Sequence, residues 1–279
     1  MRLALLAPLA VALAASACAD RGAPAPARAT EAVPYRLDAP DGIAELPARL
    51  QEISGLTVLP TGRLGAVQDE NGVLYEIDAA SGRVTGEQPF GNDGDYEGVE
   101  LTPEAVWVLR SDGDLYRVSQ DRTGRVEAQK FETALRRRND TEGLAYDPEA
   151  NRLLIACKED PGEGFEDVRT IYAFDLATET LAAAPVAVID RRQVDGEASF
   201  KPSALAVDPR TGRMFVLSSV EKALAVLAPD GTLVSVTRLS PRLFPQPEGI
   251  AFDAAGTLYI ANEGRTGAGT LLRFSPTDV

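Results

Sequence analysis

A five-residue motif recurs along the chain and sets its architecture. It reads EISGL (Glu52 to Leu56), DYEGV (Asp95 to Val99), DTEGL (Asp140 to Leu144), KPSAL (Lys201 to Leu205) and QPEGI (Gln246 to Ile250). The third position is Ser54, Glu97, Glu142, Ser203 and Glu248 in turn. The fourth is glycine in every copy except Ala204, and an apolar residue follows each time. Third positions lie 43, 45, 61 and 45 residues apart. A repeat of 40–50 residues is the length of a propeller blade.

Each interval contains four short stretches of β-type residues joined by glycine-bearing turns. In the first, SGLTVLP, RLGAVQDE, VLYEIDA and RVTGEQPF are separated by Thr61-Gly62, Asn71-Gly72 and Ser81-Gly82. Such turns tolerate positive φ and suit hairpins. No helical period extends over a dozen residues. The fifth interval ends one strand short. The segment Tyr35 to Ala39 carries β-type residues and is expected to supply the missing outer strand, closing the ring and removing open sheet edges. The expected fold is therefore all-β: a five-bladed propeller of four-stranded antiparallel blades, closed by an N-terminal strand added to the last blade.

The strand path places the motifs and the second-to-third-strand loops on one face. The long segments, among them FETALRRRND, KEDPGEGFEDVR and IDRRQVDGEASFKP, all fall there, whereas the opposite hairpins are short. Functional loops gather where a rigid scaffold presents them. Glu97, Glu142 and Glu248 begin innermost strands and should converge on one channel mouth, with Ser54 and Ser203 completing the ring. Second-strand ends add Gln68, Asp69, Glu70, Ser111, Asp112, Lys158, Glu159, Ser218, Ser219, Asn262 and Glu263 to the rim.

The chain has 279 residues, Lys+Arg 28 against Asp+Glu 42, and no histidine. A net charge of −14 repels nucleic acid and anionic membrane surfaces. Without histidine, neither a Ser-His-Asp set nor a usual zinc site can form. A metal here must be held by oxygens, and the ring of carboxylates, hydroxyls and an amide is of the hard-cation type that calcium takes. The alternative is that Glu-Gly serves the blade itself, the Gly packing at the axis and the Glu bonding backbone amides. Arg136, Arg137 and Arg138 read as a solvated loop or as a grip on an anionic ligand group. Trp107 reads as core.

The opening MRLALLAPLAVALAASAC is a signal peptide over residues 1–17. Ala15-Ser16-Ala17-Cys18 resembles a bacterial lipobox, which implies cleavage before Cys18 and lipidation of its thiol. Ala15 stands where leucine is usual; cleavage at an A-x-A site, leaving a soluble periplasmic protein, is the alternative. Ala19 after the cysteine favours outer-membrane sorting by analogy. Residues 18–33 read as the lipidated cysteine and a disordered Pro- and Ala-rich tether, and 34–279 as a single propeller domain, expected to be monomeric. Cys157, the one other cysteine, reads as a buried apolar filler without a disulfide partner.

The blade starts EISGL, DYEGVE, NDTEGLAYD, KPSALAVDP and QPEGIAFD resemble the SdiA-regulated family of bacterial envelope β-propellers, from about Tyr35 to Ser275. The resemblance implies a five-bladed propeller akin to NHL-repeat proteins and a bound calcium, with the acidic blade-start positions on Glu97, Glu142 and Glu248. Ser54 and Ser203 depart from that pattern. No established activity comes with it. Two readings follow: a calcium-stabilised binding module for a small molecule or protein, touching the membrane only through its anchor, or a metal-dependent hydrolase, lactonase- or phytase-like, with Glu159 or Glu263 as base.

Overall fold

The computed structural model describes residues 32–195 and 199–277. Its strands form five antiparallel sheets arranged as the five blades of a propeller. A short strand, β1 (Gly42–Glu45), precedes the first blade, which holds β2 (Ile53–Val58), β3 (Leu64–Gln68), β4 (Val73–Ile77) and β5 (Val84–Pro89). The second holds β6 (Tyr96–Leu101), β7 (Val106–Arg110), β8 (Leu115–Gln120) and β9 (Val126–Phe131). The third holds β10 (Thr141–Asp147), β11 (Arg152–Cys157) and β12 (Val168–Asp175), with an outer edge split into β13 (Thr180–Leu181) and β14 (Ala187–Asp190), both paired to β12. The fourth holds β15 (Ala204–Val207), β16 (Met214–Ser218), β17 (Ala223–Leu227) and β18 (Leu233–Arg238). The fifth holds β19 (Pro247–Phe252), β20 (Leu258–Asn262) and β21 (Thr270–Phe274). Among the described residues the α-helix is the single turn α1 (Arg191–Asp195) in the loop after β14.

The ring closes through the N-terminus, but not through the segment expected. β1 pairs antiparallel with β21, Gly42 opposite Arg273 and Glu45 opposite Thr270. Tyr35 to Ala39 lies in turns instead. Its alternation is real, since Tyr35 and Leu37 are both buried, but they plug the space between blades four and five rather than join a ladder. The Tyr35 ring packs against Phe215 and Phe252, and its hydroxyl donates to the Gly256 carbonyl at 2.8 Å. Thr277 N–H donates to Pro34 O, and Asp41 N–H to Arg273 O, so both chain ends are tied together. The signal segment, Cys18 and nearly all of the tether lie outside the described residues; Val33, at the tether's end, packs against the blade-four and blade-five core.

The inner strands β2, β6, β10, β15 and β19 neighbour one another in a closed cycle. Their spacing explains the motif glycine. A Cβ on Gly98 would stand 2.7 Å from Leu144 Cβ, and one on Gly143 2.7 Å from Leu205 Cβ. Only a residue without a side chain lets adjacent inner strands approach that closely; blade four, with Ala204, is the exception. Trp107 is core as expected, stacked obliquely on Phe131 and Phe174. Cys157 is fully buried, and burial pushes its thiol up to about 12.

Candidate functional site: the motif-face channel mouth

In four of the five motif copies the third residue is the extra residue of a β-bulge. Register slips between Ile53 and Gly55, Tyr96 and Gly98, Thr141 and Gly143, and Pro247 and Gly249. A bulge re-aims one side chain out of the ladder. Here it turns Ser54, Glu97, Glu142 and Glu248 into one narrow space around the axis. Beneath them Leu56, Val99, Leu144, Leu205 and Ile250, the fifth motif residues, form an apolar waist; all are buried. The space left is about 10 Å³, room for at most one water. The channel is thus closed at the waist.

Burial dominates the electrostatics of this ring. It raises Glu97 well above the ordinary carboxyl range, with Glu142, Asp95 and Glu248 adding repulsion. It pushes Glu248 up to about 7 against the hydrogen bond from Ser219 and the attraction of Lys158. Glu142 is raised by the same cause, opposed by Lys158, whose ammonium donates to Glu142 Oε1. Lys158 also faces the charges of Asp140 and Glu248. Among the described residues no three acidic or thiol groups stand close enough to cage a metal ion. As placed, the ring is a carboxylate–ammonium cluster.

The two serines have a different geometry from the glutamates. Ser54 Oγ donates to Tyr96 O at 2.5 Å, and Ser203 Oγ donates to Pro247 O at 2.7 Å. In both cases the acceptor precedes the next blade's third motif residue, so each serine fastens its blade to the following one. Asn262, fully buried, donates to Leu243 O and Thr270 Oγ1, both at 3.0 Å, and its Oδ1 has no partner. Glu159 accepts from Lys201 and lies 4.0 Å from Arg169. Glu263 accepts from Gln246, and burial raises it.

The rim is electrostatically lopsided. On blades three and four, Lys158, Lys201 and Arg169 face Glu142 and Glu159. On the blade-one side, Asp69 is pushed up to about 6 by burial, then by Glu52, Glu263, Glu70 and Asp95. Its Oδ1 is buried without a hydrogen-bond partner. Glu70 is exposed, and a cavity of about 270 Å³ opens beside it, lined by Arg49, Gln51, Glu52, Gln68, Asn71 and Tyr75 among others. Two of the three loop arginines are engaged locally: Arg136 donates to Thr133 O and Leu135 O, and Arg138 pairs with Asp160 at 3.1 Å.

The residue that sequence reasoning undervalued is Lys158. It directly follows β11, at the place that Asp69, Ser111, Ser219 and Glu263 take after the other second strands. A cation following the strand whose blade start is Glu142 was the available signal. Asp95 and Asp140, the opening residues of two motif copies, were likewise passed over although their charges act on the ring.

A closed five-bladed β-propeller with a buried carboxylate ring at one mouth is the class that fold and site define. The model of the SdiA-regulated family matches residues 35–265, well over half the chain, and the chain belongs to that family. Among solved structures it is similar to the glutaminyl cyclase of Myxococcus xanthus, at 15% identity and TM-score 0.60 over 86% of this chain and 97% of that one. It is also similar to XC5397 of Xanthomonas campestris, described as a gluconolactonase, at 17% identity and TM-score 0.52 over 80% and 72%. At these identities the likeness is one of fold.

Proposed function

We propose that the protein is an envelope-anchored binding module, held through a lipid on Cys18 in the outer membrane and facing the periplasm, whose motif face takes a small molecule or protein segment bearing a cationic group. The observation that carries this reading is Asp69: a buried carboxylate oxygen without a donor, among Glu52, Glu70, Asp95 and Glu263. An unsatisfied buried acceptor costs about 1–3 kcal/mol, which a ligand ammonium or a cation would recover. Calcium enters this reading as a rival of Lys158 for Glu97, Glu142 and Glu248. The test is calorimetric titration of calcium chloride and of ethylenediammonium into wild type, Asp69→Asn and Lys158→Met. Binding of ethylenediammonium should be lost in Asp69→Asn, and calcium binding should strengthen in Lys158→Met. No binding of either probe, or unchanged binding in Asp69→Asn, refutes the reading.

A hydrolase at the same mouth is the second reading. It is favoured by Glu248, held near neutrality beside Lys158, which suits a general base at pH 7. Chelator-sensitive hydrolysis of a lactone, abolished in Glu248→Gln, would distinguish it.

A further inference from the structure

The waist divides the channel, and below it lies a second concavity. The sixth motif-register residues, Thr57, Glu100, Ala145, Ala206 and Ala251, carry a single charge, at Glu100. Around it opens a cavity of about 190 Å³ whose walls include Val58, Leu101, Tyr146, Pro148, Val207 and Phe252. Of these wall residues Pro148 is exposed and the others are part-buried.

We infer that this opposite mouth is a separate binding site for a small protonated alkylamine, seated with its ammonium on Glu100 and its alkyl chain against Tyr146 and Phe252. Glu100 Oε1 accepts from Thr57 Oγ1 and from Leu101 N–H, each at 2.8 Å, and the Tyr146 backbone adds a further hydrogen bond. Among the described residues these neutral donors are the groups that act on it, and no cation stands against it. Burial accordingly pushes it up to about 7. Glu100 is part-buried and bonded only to neutral donors, whereas a carboxylate withdrawn from water is ordinarily paired with a positive group. Apolar walls with a few polar atoms are the usual lining of a ligand pocket, and aromatic rings beside the carboxylate favour a cation over a neutral or anionic guest.

A purely structural role for Glu100 would be to clamp β2 to β6 through Thr57. Glutamine would make the same bond through its side-chain carbonyl, so charge separates the two roles. The experiment titrates wild type with n-butylammonium, n-butanol and butyrate, in the presence of a chelator, following Tyr146 and Phe252 by NMR. Butylammonium should bind at least about tenfold more tightly than either isostere, a gap of about 1.4 kcal/mol. Glu100→Gln should melt no lower than wild type and lose that preference. Phe252→Ala should weaken all binding. A blocked lysine (Nα-acetyl-lysine methylamide) included beside butylammonium assigns the source: tighter binding marks a lysine side chain of a polypeptide, weaker binding a free amine. Equal affinity for butanol and butylammonium in wild type overturns the inference, and that comparison stands even if Glu100→Gln fails to fold. Full preference retained in a folded Glu100→Gln overturns it too.

Discussion

Replacing Glu248 by glutamine should make the protein more stable, and more so as pH rises. The unfolded chain releases this proton near 4.5, whereas the folded protein holds it to about 7 because burial penalises the charge. A raised folded-state value means that stability is fully present below about pH 4.5. It falls as the unfolded chain begins to ionise, and the loss is complete above about pH 7. At 1.36 kcal/mol for each tenfold change, the gap is worth roughly 3 kcal/mol. Glutamine is neutral throughout, can accept the Ser219 hydrogen bond, and escapes the penalty. It also removes one of the charges that raise Glu97 and Glu142. At about 2–4 °C for each kcal/mol in a domain of this size, Glu248→Gln should melt about 6–12 °C above wild type at pH 8. At pH 4 the two should nearly coincide. Differential scanning calorimetry at half-unit steps in chelated buffer measures this. Parallel curves for the two proteins from pH 5 to 8 would show that Glu248 is solvated and that the ring is not the buried cluster described.

Gly143→Ala should cost about 2–3 kcal/mol by overpacking against Leu205, seen as a lower urea midpoint. Ala204→Gly, at the equivalent place in blade four, should cost only about 1 kcal/mol. Removing residues through Ala39 deletes the Tyr35 and Leu37 plug, each worth about 1.5–3 kcal/mol of burial, and should lower the melting temperature. Extending the deletion through Glu45 also strips β1 from β21 and should abolish cooperative melting; equal melting of the two truncations would contradict the pairing of β1 with β21. Cys18→Ala should release the protein from membranes, and unchanged membrane fractionation with continued acyl labelling would refute the anchor.

The blade count, the strand order and the identity of the inner strands were legible because the motif repeats in register and its glycines have one cause, the close approach of neighbouring blades. The closing strand was misplaced by a few residues. Tyr35 and Leu37 alternate like a strand yet face a gap between blades, while Gly42–Glu45 is too short and too mixed in character to announce itself. In the site, the glutamates were readable because the bulge recurs at the same motif position. Ser54 and Ser203 shared that position, but their acceptors, Tyr96 O and Pro247 O, belong to the next blade, a contact that no single repeat reveals. Lys158 was placed on the rim, but its bond to Glu142 was hidden for a similar reason, since that partner lies 16 positions away along the chain and meets it only through the pairing of β10 with β11.

The plug formed by Tyr35 also gives the molecule a direction. The chain enters the propeller beside Phe252 and the Gly256 turn, on the side away from the motifs. In the anchored protein proposed above, the Glu100 cup, on this same side, would face the bilayer and the carboxylate ring would point away from it.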